Sequence, residues 1–271
     1  MQRESTQFYI PILLAIAVAA ALTYYWVQIN RVEAPPEPPP AIVEPVADAP
    51  KSPFHPFPRV ESPTGPGGEL VTLPSLHQSD EYLKLELADV LGSRTVAEML
   101  AERDLIAKIV ATVDNLPRDH VAERIRPVAG LVGAFDAEAI SNNEFTISAD
   151  SYRRYDVLVD LVTAADLKEL AEVYGRFYPL FQNAYNDLGY PNAYFNDRLV
   201  AVIDHLLATP EAEDPIRVVR PHVLYEFADM DLESLSSGQK LLLRMGSEHA
   251  ARIKVTLREL RLLIVEPNSE T

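Results

Sequence analysis

Aromatic and polar side chains crowd around the turn at Gly189, where one predicted helix ends and the next begins. The set comprises Tyr185, Tyr190, Tyr194, Asp197 and Arg198, with His205 two turns along the second helix. Polar groups beside aromatic rings at a helix–helix corner can form a ligand pocket. The same side chains can instead cap the helices, and Asp197 can pair with a neighbouring arginine to lock the corner. Turn chemistry alone accounts for the pattern, so the structural interpretation is favoured while the binding interpretation stays open.

Two further residues, Tyr225 and Glu226, complete the candidates for ligand or partner binding. Asp197, His205 and Glu226 are carboxylate and imidazole groups able to do acid–base work. No other catalytic signature accompanies them. The histidines form no His-x-Glu or His-Glu-x-x-His arrangement, and the sequence has no cysteine, nucleophile elbow, phosphate loop or dinucleotide fingerprint. We therefore expect neither a metal nor a cofactor.

A basic stretch near the carboxyl end contrasts with the acidic chain around it. It has six basic residues against two acidic ones, a local balance of +4, and the six are Lys240, Arg244, Arg252, Lys254, Arg258 and Arg261. In the simplest interpretation this basic helix lies against its own acidic body. In the alternative it binds a partner or lipid headgroups. The net charge of the whole chain, −16, argues against nucleic acid as a partner.

A membrane anchor is predicted over residues 8–28, ahead of the elements that carry these side chains. Phe8 to Val27 is a run of twenty uncharged residues, which as a helix spans roughly 30 Å, the thickness of a bilayer core. Small residues around Ala19 leave a cleaved signal peptide as the alternative, although the apolar run continues past them. Arg3 ahead of the span favours a cytoplasmic amino terminus. We expect a single-pass protein of a bacterial inner membrane whose carboxyl-terminal domain is periplasmic.

A proline-rich linker is predicted over residues 29–74. It contains 13 of the 22 prolines, which remove amide donors and prevent a packed core from forming. Such a chain rises about 3.1 Å per residue and holds the following domain away from the bilayer. Within it, Pro53-Phe54-His55-Pro56-Phe57-Pro58 can act as a docking peptide for an aromatic groove. Composition alone favours an ordinary piece of linker.

The fold class is mostly α: the anchor and linker precede one compact multi-helix domain over residues 75–265, with short tails at 1–7 and 266–271. An apolar stripe from Leu167 to Leu188 predicts a long helix that contains Pro179. Predicted helix caps include Asp104, Thr163 and Asn192, and a further helix is predicted over residues 231–245.

The domain is expected to contain at most one or two short strand pairs. The first strand is predicted at residues 144–148, after a long loop with a helical turn over residues 118–143. Residues 216–219 form another short strand, and residues 223–227 either pair with it as a hairpin or already belong to the next helix.

Several short motifs resemble an uncharacterised bacterial family, the domain of unknown function numbered three thousand and fourteen. The likeness extends from about Leu73 to Leu263, and its clearest motifs are Arg154-Tyr155, Tyr178-Pro179-Leu180-Phe181-Gln182, Leu188-Gly189-Tyr190-Pro191, Phe195-Asn196-Asp197-Arg198-Leu199, Ile203-Asp204-His205-Leu206-Leu207, Leu224-Tyr225-Glu226-Phe227-Ala228-Asp229 and Gly238-Gln239-Lys240-Leu241-Leu242-Leu243-Arg244-Met245-Gly246. The resemblance implies an anchored envelope protein and no assigned activity.

The expected function is that of a membrane-anchored envelope protein whose exported helical domain acts as a scaffold or protein-binding module. Its partners would be the membrane, through residues 8–28, and an envelope protein. The alternative is a periplasmic enzyme or small-ligand-binding domain, with Asp197, His205 and Glu226 as the acid–base groups.

Overall fold

A computed structural model describes residues 52–57 and 73–265, and both ranges belong to one compact unit of the chain. The predicted anchor, most of the predicted linker and both predicted tails lie outside these ranges. No helix within the two ranges is long and apolar enough to cross a membrane.

Helices form most of the described part of the domain, which confirms the mostly α class. The α-helices are α1 Ser79–Leu91, α2 Ser93–Met99, α3 Leu105–Asn115, α4 Ala149–Arg153, α5 Asp156–Ala164, α6 Leu167–Asp187, α7 Phe195–Leu207, α8 Met230–Glu233, α9 Ser237–Arg244 and α10 Ser247–Leu263. Two short 3₁₀ helices, Leu76–Gln78 and Glu123–Ile125, complete the helical elements of these residues.

A small antiparallel sheet accompanies the helices. Its strands are β1 Ala137–Ser141, β2 Glu144–Ile147, β3 Arg217–Val219 and β4 Glu226–Phe227, and they lie in the order β1-β2-β3-β4. The sequence predicted β2 and β3 but assigned β1 to a loop. Of the two alternatives left open for residues 223–227, β4 forms the hairpin. β1 is exposed at four of its five positions and contains two alanines and Glu138, so it lacks the alternation and the side chains typical of strands.

The long helix α6 lies at the centre of the core. Its apolar side packs against α1, where Leu83 and Leu87 are buried, and against α3, where Ile106 and Val110 are buried. The buried residues that α6 contributes are Ala171, Val173, Phe177, Leu180, Phe181, Ala184 and Tyr185. Each fully buried large apolar side chain contributes about 1.5–3 kcal/mol, so this stripe carries much of the stability. The helix contains Pro179, as predicted.

Three of the predicted caps are wrong, because other carboxylates and amides reach the helix ends. Asp104 does not cap α3 with its own side chain; instead Asp80 accepts hydrogen bonds from the amides of Asp104 and Leu105, at 2.7 and 2.8 Å. Asp166, and not Thr163, caps α6. The residue before α7 is Tyr194 rather than Asn192, and its side chain makes no capping hydrogen bond.

The predicted helix over residues 231–245 divides into α8 and α9. A capping box starts α9, in which the Ser236 side chain accepts from the Gln239 amide while the Gln239 side chain accepts from the Ser236 amide. The capping box begins a new helix at Ser237, so the predicted single helix is interrupted between Glu233 and Ser237. Gly238 then packs closely against α3, donating its amide to the Leu116 carbonyl at 2.9 Å.

Gly238→Ala is expected to destabilise the domain because there is no room for a side chain. A Cβ at this position would lie 2.7 Å from Leu206 Cδ2 and 3.0 Å from the Leu116 carbonyl oxygen, which is backbone and cannot rotate away. We expect the free energy of unfolding to fall by about 1–3 kcal/mol, measured by urea denaturation. Gly130→Ala is the matched control, since a Cβ there meets nothing within 4 Å. Equal losses in both variants would contradict the packing argument.

Candidate functional site

Residues 52–57, called the strap below, lie against the domain where α6 turns into α7. The backbone amides of Phe54 and His55 donate to the two carboxylate oxygens of Asp197, at 3.1 and 2.7 Å. These residues are more than 140 positions apart in the chain. One carboxylate therefore binds two consecutive amides at a bend in the strap, and hydrogen bonds to a charged group are stronger than those between neutral groups.

Asn196 binds the strap from the other side of its backbone. Its Nδ2 donates to the His55 carbonyl at 2.8 Å and to the Ile264 carbonyl at 2.8 Å, while its Oδ1 accepts from the Tyr174 hydroxyl at 3.1 Å. The residue is 0% exposed. These hydrogen bonds satisfy the buried amide, and the two with Tyr174 and Ile264 hold Asn196 in one orientation.

The aromatic ring of Phe57 is the side chain of the strap that the domain binds. It lies edge-on to Tyr174, with ring centroids 5.1 Å apart, and stacks on Tyr178 at 6.0 Å. It also packs on a cluster of buried apolar residues, Val200, Ile203 and Ile264. Phe54, by contrast, is 76% exposed. We call Tyr174, Tyr178, Asn196 and Asp197 together the corner site.

The tyrosines of the corner site stay neutral at ordinary pH. Burial raises the pKa of Tyr174 well above its usual value, and the neighbouring Tyr178 adds to the effect. Burial also raises the pKa of Tyr178, against a smaller opposing effect of a hydrogen bond with the Asn196 backbone. The Tyr174 hydroxyl consequently keeps the proton that it donates to Asn196.

Gln182 positions the first turn of α7 relative to α6. Its Oε1 accepts from the Phe195 amide at 2.9 Å, and its Nε2 donates to the Ala193 carbonyl at 2.8 Å. An amide that would otherwise be left without a partner at the helix start is thus satisfied by a side chain of the neighbouring helix. The two residues that bind the strap backbone follow directly after Phe195.

A buried carboxylate, Asp114, secures the same turn from the other side. The Arg198 Nε lies 2.9 Å from Asp114 Oδ1, and Arg118 Nη2 lies 2.6 Å from Oδ2. Arg198 also donates to the Asp114 carbonyl at 2.6 Å. Tyr190 adds a hydroxyl to this cluster, donating to Asp114 Oδ2 at 3.4 Å, and its ring stacks on Tyr185 with centroids 4.7 Å apart.

The sequence suggested that Asp197 pairs with a neighbouring arginine to lock this corner, but the acid in the observed ion pair is Asp114. Arg198 pairs with Asp114 and not with Asp197, which leaves Asp197 to bind the strap. Tyr185, Tyr190 and Arg198 lie together around Asp114, whereas Tyr194 lies beside Tyr178 at the edge of the corner site, close enough to influence the pKa of that residue.

The family of the chain follows from a comparison with family models. A model described as "Protein of unknown function (DUF3014)" matches residues 105–261, which is 157 of the 271 residues. The chain belongs to the DUF3014 family. Neither the curated proteins nor the solved structures gave a match. The DUF3014 match contains all four residues of the corner site and Asp114, and the strap lies outside it.

The remaining candidates for acid–base work lie in separate parts of the DUF3014 domain. His205 follows Asp197 by eight residues on α7, about 12 Å along the helix axis, and its Nε2 lies 2.8 Å from the Ser236 hydroxyl. Glu226 lies on β4, an edge strand that pairs with β3. Tyr225 packs beside the same sheet, with its ring centroid 5.2 Å from those of Phe135 and Phe145.

Most of the predicted basic patch contacts the domain itself. Lys240 pairs with Glu233 at 2.8 Å, Arg252 with Asp160 at 2.7 Å, and Arg261 with Asp204 at 2.6 Å. Arg244 lies over the Phe227 ring, and the buried Lys254 donates to the Thr209 carbonyl. Arg258 is exposed. Three of the six thus pair with acidic side chains of the domain, whereas Arg244 and Lys254 contact a ring and a backbone carbonyl.

A cleft of about 410 Å³ lies beside the start of α10 and includes only Arg252 among the predicted site residues. Its polar groups are bound to one another: His249 Nε2 lies 3.1 Å from Asp156 Oδ1, and the Ser247 amide donates to Asp214 at 2.6 Å. Within the described residues, no cluster of histidine and acidic side chains is arranged to hold a metal ion.

Asp197→Ala is expected to release the strap. The amides of Phe54 and His55 lose a charged acceptor, and each such hydrogen bond contributes about 1.5–3 kcal/mol, so we expect these amides to exchange with deuterium at least about tenfold faster. Hydrogen exchange read by mass spectrometry over residues 52–57 checks this. Asp187→Ala, at an exposed position near the end of α6, is the control and should leave exchange unchanged. Unaltered protection in Asp197→Ala would show that the carboxylate does not hold the strap.

Asp114→Asn is expected to lower the stability of the domain substantially. The side chain of Asp114 is only 5% exposed, and its loss of charge leaves Arg198 without its carboxylate partner. We expect the free energy of unfolding to fall by about 2–4 kcal/mol, measured by urea denaturation. Glu98→Gln is the control, because Glu98 and its partner Arg94 are both exposed, and such a pair contributes about 0–1 kcal/mol. A loss in Asp114→Asn no larger than in the control would contradict this role.

Proposed function

We propose that the protein is a membrane-anchored envelope protein whose exported DUF3014 domain is a protein-binding module, and that it binds short peptide segments at the corner site. The observation that carries the proposal is the seated strap. Its backbone is bound by Asp197 and Asn196, and its one inserted ring is bound by tyrosines. Peptide-recognition domains commonly combine hydrogen bonds to the main chain with a pocket for a single side chain.

Binding is favoured over acid–base catalysis by the positions of the three candidate groups. Asp197 accepts two peptide amides, His205 contacts the start of α9, and Glu226 lies on an edge strand of the sheet. A catalytic acid and base must both lie within hydrogen-bond reach of one substrate. Asp197 and His205 lie about 12 Å apart along the axis of α7, and the structure shows no hydrogen bond that joins either of them to Glu226 within the described residues.

Anchoring and export are supported by the amino-terminal sequence. The uncharged run from Phe8 to Val27 is long enough to span a bilayer, and Arg3 lies ahead of it. Residues 29–51 separate the predicted anchor from the strap, and at about 3.1 Å per residue they reach at most roughly 70 Å. The proposed binding site is thus held within a limited distance of the membrane surface.

In-cell photo-crosslinking tests this proposal. A photo-crosslinking amino acid replaces Tyr194, at the edge of the corner site, or Tyr225, which packs beside the sheet; both positions are half-buried, so the pair is matched. We expect a specific adduct with an envelope protein from position 194 and none from position 225, identified by mass spectrometry. Adducts confined to cytoplasmic proteins would contradict export, and equal adducts at both positions would contradict binding at the corner.

A further inference from the structure

We infer that the strap is an exchangeable occupant of the corner site. The ligands that it excludes are segments of a partner protein in which two non-proline residues, at a bend in the backbone, precede a proline and an aromatic residue. The inference rests on the proposed function and names its ligand class and its regulation. It is drawn from how the four strap residues Phe54, His55, Pro56 and Phe57 contact the domain.

The first two positions are recognised through their backbone. Both amides donate to Asp197, so neither position can be a proline, which has no amide hydrogen. The His55 carbonyl accepts from Asn196. The side chain of Phe54 is 76% exposed, so the domain does not select it. Recognition at these positions depends on a bent backbone with two free amides.

The last two positions supply the specificity. Pro56 needs no amide partner, and its fixed φ restricts the backbone that carries the next residue to the pocket. Phe57 is the inserted side chain, in contact with Tyr174 and Tyr178. The Phe57 ring packs against both of these rings, which also contact each other with centroids 5.7 Å apart, and aromatic pairs of this kind contribute beyond their buried area. An aromatic residue directly after a proline is therefore the selected feature.

The contacts that shape the corner site do not depend on the strap. Asn196 is held by Tyr174 and by the Ile264 carbonyl, and Phe195 is held by Gln182. The next residue, Arg198, is bound to Asp114. When the strap leaves, the site keeps its shape and presents one amide donor, one carboxylate and one apolar pocket. A preformed site of this kind binds a second peptide without having to reorganise first.

The strap acts as a covalently attached competitor. Three hydrogen bonds and one ring hold it, a contact small enough to open reversibly. A tethered segment competes at an effective concentration on the order of millimolar. The apparent affinity for a ligand in trans equals its affinity for the open site multiplied by the fraction of molecules whose site is open. Loss of the strap therefore increases binding in trans.

Fluorescence anisotropy on the full chain in detergent micelles tests the inference. The probe is a labelled synthetic peptide with the sequence of residues 51–60. Three chains are compared: the wild type, Phe57→Ala, which weakens the strap and leaves the corner site intact, and Phe57→Ala combined with Asp197→Ala. Phe57→Ala combined with Asp187→Ala is the matched control for the double variant. Urea denaturation establishes that each chain is folded.

We expect the Phe57→Ala chain to bind the probe at least about tenfold more tightly than the wild type does, because removal of the ring takes away about 1.5–3 kcal/mol of strap binding. The Asp197→Ala combination loses this binding and the Asp187→Ala combination keeps it. A peptide with alanine in place of both Phe54 and His55 binds within about threefold of the probe, whereas N-methylation of those two amides weakens binding at least about tenfold.

Each contrary result overturns a different statement. Equal binding by the wild type and the Phe57→Ala chain would overturn competition by the strap and leave the proposed function standing. Absence of binding by the folded Phe57→Ala chain would overturn peptide binding at the corner, and with it the proposed function. Unchanged affinity after N-methylation would overturn recognition through the backbone. Light scattering tests whether the strap binds the site of another copy. A wild type that is dimeric and a Phe57→Ala variant that is monomeric would show that the strap occupies the corner site of a second chain, and would overturn competition within one chain.

Discussion

The first turn of α7 depends on the ion pair between Asp114 and Arg198. A carboxylate that is 5% exposed needs nearby cations and donors, and it obtains them from Arg198, Arg118 and the Tyr190 hydroxyl. This ties α3 to α7. Gln182 of α6 accepts a hydrogen bond from the amide of Phe195, the first residue of α7, so the turn is held from two directions. Asn196 and Asp197 lie between these two attachments and are presented in a defined orientation.

Adjacent residues of this turn have different tasks. Asn196 is entirely buried and links the domain's own Tyr174 and Ile264 to the strap, Asp197 binds the strap amides, and Arg198 secures the fold. Successive side chains of a helix point in directions about 100° apart, so these three neighbouring residues can contact three different parts of the protein. Because Asp114 holds Arg198 in place, the neighbouring Asp197 is kept in position to bind the strap. Arg198 does this without contacting the strap itself.

Much of the architecture was predictable because helical periodicity is a local property. The apolar stripe of α6 and the strand signals for β2 and β3 lie within short windows, and the structure has these elements. The predictions at Asp104 and Asn192 were wrong because a cap requires only a suitable acceptor nearby in space. Asp80 and Gln182 supply it from elsewhere in the chain. β1 was missed because a mostly exposed strand carries no apolar alternation.

The sequence by itself determined the mostly helical class and the DUF3014 membership, and it singled out Asp197 and the motif at residues 53–58 without connecting the two. Only the tertiary structure decided that Arg198 pairs with Asp114, 84 residues away, and that Asp197 binds Phe54, 143 residues away. Spacing along a chain specifies which side chains share a helix face. It carries no information about which distant segment arrives at that face, because that depends on how all the elements pack together.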